Sequence, residues 1–323
     1  MKRSFKLFLA AAVLITEVFA IALPVLTTSA KADGAIQAIT HAGFGGGTDV
    51  TTRMMLLRTR RYLKQDMQLV NKKGGGGAAS MDYMMTLPAD GQHTLTWTTG
   101  HAVSMALGKT KVKLSDMQPL ARGTDDPQLF VVNCKNDIKD AKKFVSAQKS
   151  KSLKYGTTHV GGIDDVSAIA FTKKGKLTDP TIVPYKGVGP IKTNLIKGDI
   201  DVGVLNLGEA VTEIEDGTLC VSVVLASNRM EKLSNVPTAT ELGIPVVLST
   251  VRGFVTRKGV SADRKKQLED AMIKAMEHKY FQSFLTDIGL DSTSVVGADE
   301  WGKQMEVMLA EMTAQLKALG YIN

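Results

Sequence analysis

Two glycine-rich stretches, Gly43 to Asp49 (GFGGGTD) and Thr158 to Asp165 (THVGGIDD), each stand between a strand-like run and a helix-like run. A strand that turns through glycine directly into a helix is the building unit of an open α/β sheet. Glycine lets the backbone approach a ligand closely. The free N–H groups of the following helical turn, aligned with the helix dipole, point at whatever negative group docks there. One such turn in each half of the chain predicts two α/β lobes that hold a small anion between them.

The rest of the chain fits that reading. Ala35 to Thr40 reads as a strand entering the first turn, and Thr48 or Asp49 can cap a helix over Val50 to Leu63, with Met54, Met55, Leu57 and Tyr62 as core candidates. Gln68 to Val70 is a strand, Gly74 to Gly77 opens a helix through Met81 to Leu87, and Thr94 to Thr98 is a strand ending at Gly100-His101. The pattern restarts with a strand at Leu129 to Asn133, a helix at Ala141 to Gln148 and a strand at Leu153 to Tyr155. Asp164 can then cap a helix over Val166 to Lys173. Ile182 to Tyr185, Val202 to Leu205 and Leu219 to Ala226 add strands, and Asp263 to His278 and Trp301 to Leu319 read as amphipathic helices. The alternation predicts mainly parallel sheets. A return to the first lobe near Val251 to Val255 gives lobe boundaries of 33–130 plus 252–323, and 131–251.

Lys2, Arg3 and Lys6, an apolar stretch from Leu7 to Leu26 and Ala30-Lys31-Ala32 have the order of a secretory signal peptide over residues 1–32, with the mature chain starting near Asp33. Glu17 inside that stretch and Pro24 near its end argue against a membrane anchor. The chain is 323 residues long, 44% hydrophobic and carries a formal charge of +8. The signal segment holds a net +3 of that charge, leaving +5 for the remainder. This balance favours anionic ligands. The lysines are scattered and aromatics make up 6%, so no basic stripe interleaved with stacking residues points to nucleic acid. Cys134 and Cys220 are either joined in a disulfide or are two buried thiols.

Enzyme motifs are not met. GFGGGTD continues with Asp49-Val50 where a P-loop needs lysine and serine or threonine, and the glycine spacing does not complete a dinucleotide fingerprint. No H-E-x-x-H and no G-x-S-x-G occurs, and histidine and cysteine show no metal spacing. No catalytic residue, cofactor or metal is therefore expected.

GGGTD at Gly45 to Asp49 followed by Arg53, Val70-Asn71 with the glycines at 74 to 77, Ala89-Asp90-Gly91, Val183 to Gly187 (VPYKG), Gly198 to Asp201 (GDID) and Val236-Pro237-Thr238 with Glu241-Leu242-Gly243 occur in that order. This arrangement resembles the extracytoplasmic solute-binding proteins of tripartite tricarboxylate transporters, the TctC or Bug family. The resemblance implies a two-lobed periplasmic binding protein of the Venus-flytrap type, acting as a monomer. It would capture a di- or tricarboxylic, aromatic or amino acid in the cleft and deliver it to a membrane permease. An exported α/β enzyme acting on a carboxylic acid and a ligand-sensing protein for a signalling receptor are the alternatives. The chain departs from the family where an aromatic usually stands, at Ala42, with Phe44 as its replacement. It departs again where the second turn usually offers serine and histidine, at Gly162 and Asp165.

The ligand candidates are Phe44, Gly45, Gly46, Gly47, Thr48 and Asp49 in the first turn, and Thr157, Thr158, Gly161, Gly162 and Asp165 in the second. Thr99 and His101 stand at a strand end, and Asn206 and Glu209 follow another strand. Asp49 either caps its helix or touches the ligand. Carboxylates at Asp165 and Glu209 repel an anion unless they turn away or meet an ammonium or a cation.

Overall fold

The computed structural model describes residues 34–158 and 160–322. The signal-peptide reading, residues 1–32, lies outside them, as does His159 of the second turn. None of the described helices is long and apolar enough to cross a membrane.

The first sheet is built from β1 (Ile36–Thr40), β2 (Met67–Asn71), β3 (His93–Thr98), β4 (Met117–Pro127), and, much later in the chain, β10 (Ser249–Arg257) and β11 (Val296–Gly297), in the order β11-β4-β10-β3-β1-β2. The second holds β5 (Leu129–Asn133), β6 (Lys154–Thr157), β7 (Thr181–Pro184), β8 (Val202–Leu205) and β9 (Leu219–Val224), in the order β7-β6-β8-β5-β9. The chain crosses from one sheet to the other at Gln128 and returns between β9 and β10.

Both sheets are mixed, which corrects the expectation of mainly parallel pairing. β1 runs parallel to β2 and β3, but β10 runs antiparallel to β3 and β4, and β5 antiparallel to β8 and β9. The antiparallel strands flank the two crossings. A chain that leaves a sheet at one end and re-enters it there reverses direction without a crossover helix.

Helices α1 (Gly47–Leu63), α2 (Ala78–Met85) and α3 (Thr99–Ala106) belong to the first sheet, with α8 (Ala262–Glu277), α9 (Lys279–Asp287) and α10 (Ala298–Ala318) from the C-terminal part. The second sheet carries α4 (Ala141–Ser150), α5 (Ile163–Lys174), α6 (Val188–Lys197) and α7 (Leu207–Glu215). In α1 Met55 is buried, but Leu57 and Tyr62 are exposed. The helix turns a threonine-rich face inward: Thr51, Thr52 and Thr59 are buried, each donating its hydroxyl to the carbonyl four residues back.

The apolar core is unequally shared between the lobes. One continuous cluster runs from Trp97 and Trp301 in the first lobe to Phe130, Phe144 and Phe171 in the second, where α10 and α3 meet α5. On the opposite face each lobe keeps its own cluster, around Met55 and Phe254 in one and Ile191 and Leu205 in the other. Cys134 and Cys220 form a disulfide between the ends of β5 and β9. This selects the first of the two sequence readings.

Candidate functional site

The two glycine turns are built alike. Gly45 and Gly161 both have left-handed backbone, with φ of +76° and +67°. Each donates its N–H to an aspartate four residues ahead, Gly45 to Asp49 Oδ2 at 3.0 Å and Gly161 to Asp165 Oδ2 at 2.5 Å. The next residues, Gly46 and Gly162, precede α1 and α5 with extended backbone and no side-chain cap. The shared spacing G-G-x-x-D thus closes a ring around each strand-to-helix turn and leaves the helix's first N–H groups to an incoming acceptor. Asp49 is held further by Arg53, at 2.9 Å. Both aspartates are therefore committed to their own turns. Asp164, expected as a helix cap, lies inside the first turn of α5, and its Oδ2 accepts from the N–H and hydroxyl of Thr158 at 2.8 and 2.6 Å.

A cavity of about 350 Å³ opens beside the first turn, on the face where the lobes do not share a core. Gly45, Gly46, Gly47, Val50 and Thr51 line one side. Gly189 and Lys192 of α6 and Gly208, Glu209 and Thr212 of α7 line the other, with Asp126 and Arg252 from the crossing strands. The second turn is not part of this wall. It packs against the first lobe beyond α3, where a Cβ on Gly161 would lie 3.4 Å from Leu107 Cδ1.

Arg252 organises the cavity. It sits in β10, almost fully buried. Its Nε donates to Thr48 Oγ1 at 3.2 Å, Nη1 to Asp126 Oδ2 at 3.0 Å and Nη2 to Asn206 Oδ1 at 3.1 Å. Asn206 in turn donates to the carbonyls of Asp126 and Pro127 at 2.9 Å, tying the start of α7 to the crossing. Nη2 keeps a second hydrogen, and it lies 2.6 Å from the point where a side chain at Gly47 would begin. Glycine is required there because the guanidinium packs directly against the backbone, where any side chain would collide with it. The same point is 3.5 Å from Glu209 Oε1, while Glu209 Oε2 accepts from the N–H of Asn206.

Burial pushes the Asp126 carboxyl up to about 7, with nearby Glu209 adding to the rise; the attraction of Arg252 offsets only part of the desolvation. Asp164 is raised to about 7 in the same way, burial outweighing its two hydrogen bonds from Thr158, with smaller upward pushes from Glu209 and Asp165. Glu209 therefore lies within electrostatic reach of both.

The other sequence candidates fall in different surroundings. Phe44 is 87% exposed, its ring 5.2 Å from the Arg53 guanidinium, and faces an outer groove with Asn71 and Lys73. Thr99 pins β10, donating to the carbonyl of Ser249 and accepting from the N–H of Val251. Thr157 is buried at the foot of the second turn, its hydroxyl without a hydrogen-bond partner. His101 is buried under the glycines at 74 to 77: Nδ1 accepts from the N–H of Thr98 at 3.0 Å, so Nε2 carries the proton and donates to Ser80 Oγ at 3.0 Å. Burial, together with the neighbouring His41, lowers its pKa well below the usual value.

Arg252 and Asp126 are absent from the sequence candidates. A lone arginine in the otherwise apolar run Val251 to Val255 was the available signal, because an unpaired arginine is rarely buried in a strand. Among the described residues no group of histidine, cysteine and carboxylate side chains could hold a metal ion.

Relatives share this architecture. BugT of Bordetella pertussis is 26% identical over 219 residues, covering 65% of this chain and 66% of the relative. MatC of Rhodopseudomonas palustris, solved with bound malate, superposes with a TM-score of 0.78 at 22% identity, covering 87% of this chain and 98% of that one. A second R. palustris protein, solved with adipate, gives a TM-score of 0.79 at 21% identity, covering 88% and 97%. These likenesses give the fold alone, the two-lobed α/β architecture of those proteins. The family model of the tripartite tricarboxylate transporter family receptor, TctC, matches residues 51–319, from the first helix of one lobe through the whole of the other and back. A match running through both sheets and both crossings makes the chain a member of the TctC family of tripartite tricarboxylate transporter receptors.

Proposed function

We propose that this protein is an exported periplasmic receptor that captures a small carboxylate between its lobes and hands it, unchanged, to the permease of a tripartite tricarboxylate transporter. The observation that carries the reading is the convergence of the uncapped start of α1 and the spare Nη2 hydrogen of Arg252 on one cavity lined by both lobes. Both are donors with a fixed direction, and both favour an anionic head group. Malate and adipate in two structural relatives are of this chemical class.

The proposed contacts are the N–H of Gly47, the Thr48 hydroxyl, Arg252, and Glu209 from the facing lobe, with Asn206 holding the Arg252 guanidinium in place; the N–H of Gly46 is taken by the carbonyl of Gly43. Gly161, Gly162, Thr157 and Thr158, which lie outside the cavity wall in this arrangement, form the second half of the clamp only once the lobes, 33–130 with 252–323 and 131–251, move about the two crossings. Only the closed arrangement supplies both sets of contacts, so the ligand stabilises it by that difference.

The test is thermal unfolding of the chain from Asp33 onward, freed of copurified ligand, against di- and tricarboxylates, aromatic acids and amino acids. A receptor gains stability by mass action, so one chemical group in the panel should raise Tm at micromolar concentration. A flat response across every acid would reject the reading, and turnover of a bound acid would replace it with an enzyme.

A further inference from the structure

We propose that the captured ligand is an α-amino acid, its ammonium group held by Glu209 and Asp126 beside the carboxylate position. This rests on the receptor reading and narrows it. The two charged pairs lining the cavity, Lys192 with Glu213 at 2.7 Å and Arg252 with Asp126 at 3.0 Å, each balance internally. Glu209 is left over. Its Oε2 receives one backbone N–H, and its Oε1 lies near Gly47 in the cavity wall. Asp126 adds a second acceptor: Oδ1 is buried, without a hydrogen-bond partner, in a residue that lines the same cavity.

A purely anionic ligand would bring more acceptors to these oxygens. A ligand ammonium brings three donors and the opposite charge. The spacing also fits. Arg252 Nη2 and Glu209 Oε1 lie 2.6 and 3.5 Å from one point at Gly47, on the cavity wall, which puts the two within about 6 Å of each other. A carboxylate and an ammonium on one carbon can bridge such a gap, whereas two carboxylates cannot without leaving one opposite Glu209.

The experiment measures affinity by calorimetry for pairs differing only in the amino group: aspartate and succinate, glutamate and glutarate, alanine and propionate. The expected result is that the amino member of at least one pair binds ten-fold or more tighter, and that Glu209→Gln reduces this ratio by a similar factor. Desamino acids that bind as tightly as their partners in every pair that binds, with or without calcium, overturn the proposal and leave the carboxylate-receptor reading standing. Absence of binding by both members of every pair, and by the wider acid panel, overturns both. Glu209→Gln keeps an oxygen able to accept from the Asn206 N–H, and the wild-type ratios decide the question even if the variant folds poorly.

Discussion

Arg252 Nη1 donates to Asp126 Oδ2 at 3.0 Å where the strands cross between the lobes, with both side chains about 3% exposed. An ion pair in this position is costly to desolvate and contributes little net stability by itself. Its role follows from its neighbours. Arg252 reaches Thr48 at the start of α1 and Asn206 at the start of α7, so one guanidinium fixes two helix N-termini relative to the crossing. The same pair divides the cavity into a donor side at Arg252 and an acceptor side at Asp126 and Glu209.

Stability should rise as pH falls from 8 to 5. Asp126 and Asp164 hold their protons up to about 7 in the folded protein, whereas an unfolded aspartate releases its proton near ~3.9. Between these values the folded state binds more protons than the unfolded one, so each group adds stability on acidification, up to about 1.4 kcal/mol per pH unit. Two groups oppose this inside the same window: the lowered histidines His101 and His278 favour the unfolded chain once pH falls below ~6.5, so the rise is steepest above that pH. The lowered carboxylates Asp216, Glu241 and Asp291 also act in the opposite sense, but below their ordinary range. Urea unfolding at four pH values measures the slope, and Asp126→Asn should reduce it, leaving the part due to Asp164.

Arg252→Gln should destabilise by about 3–5 kcal/mol at pH 8, because it leaves a buried carboxylate without its counter-charge. At pH 5 the loss should be visibly smaller, since Asp126 can then take up a proton. A loss equal at both pH values would mean that the arginine's packing, not its charge, holds the crossing. Calorimetry on the folded variant should also show carboxylate binding reduced by more than ten-fold.

Element positions were legible in the sequence wherever glycine marked a turn or an apolar run was short and bounded. Thus β1, β5 and β8 stand where Ala35 to Thr40, Leu129 to Asn133 and Val202 to Leu205 predict them. Helices α6, α7 and α9 and the short β11 were not predicted, nor was β4, Met117–Pro127, whose Arg122, Thr124, Asp125 and Asp126 hide a strand that tertiary partners make possible. Helix α3 begins at Thr99 with no break after β3, so a reading that needs a turn between elements misses it. In the site, the two glycine turns were legible because glycine spacing is a local property. Arg252 was not, because its partners Thr48, Asp126 and Asn206 are distant in sequence and only the fold brings them together.

Gly45→Ala and Gly47→Ala should separate the turn's backbone from the space it leaves open. A Cβ at Gly45 meets nothing within 4 Å, but the residue has φ +76°, so alanine there should cost about 1 kcal/mol of stability through backbone strain. A Cβ at Gly47 would lie 2.6 Å from Arg252 Nη2, an atom fixed by its other bonds, so that variant should lose ligand affinity by ten-fold or more. Equal affinities for the two variants would remove Gly47 from the ligand position.

His101→Ala tests a residue whose place in the sequence suggested a ligand contact and whose surroundings give it another task. Its Nδ1 satisfies the buried N–H of Thr98 at the entry to α3, its Nε2 meets Ser80, and its ring lies 4.4 Å from that of His41 and 6.1 Å from that of Trp97. Truncation leaves an unpaired buried donor and a ring-sized void, which together should cost about 2–4 kcal/mol. The histidine is uncharged through the physiological range, so its loss removes no charge from the cleft. Affinity measured at a temperature where the variant is folded should therefore stay within about three-fold of the wild-type value, since RT ln 3 is only ~0.6 kcal/mol. A ten-fold loss of affinity without loss of stability would return His101 to the ligand site, and would require the glycine turn at 74 to 77 to open toward the cleft when the lobes close.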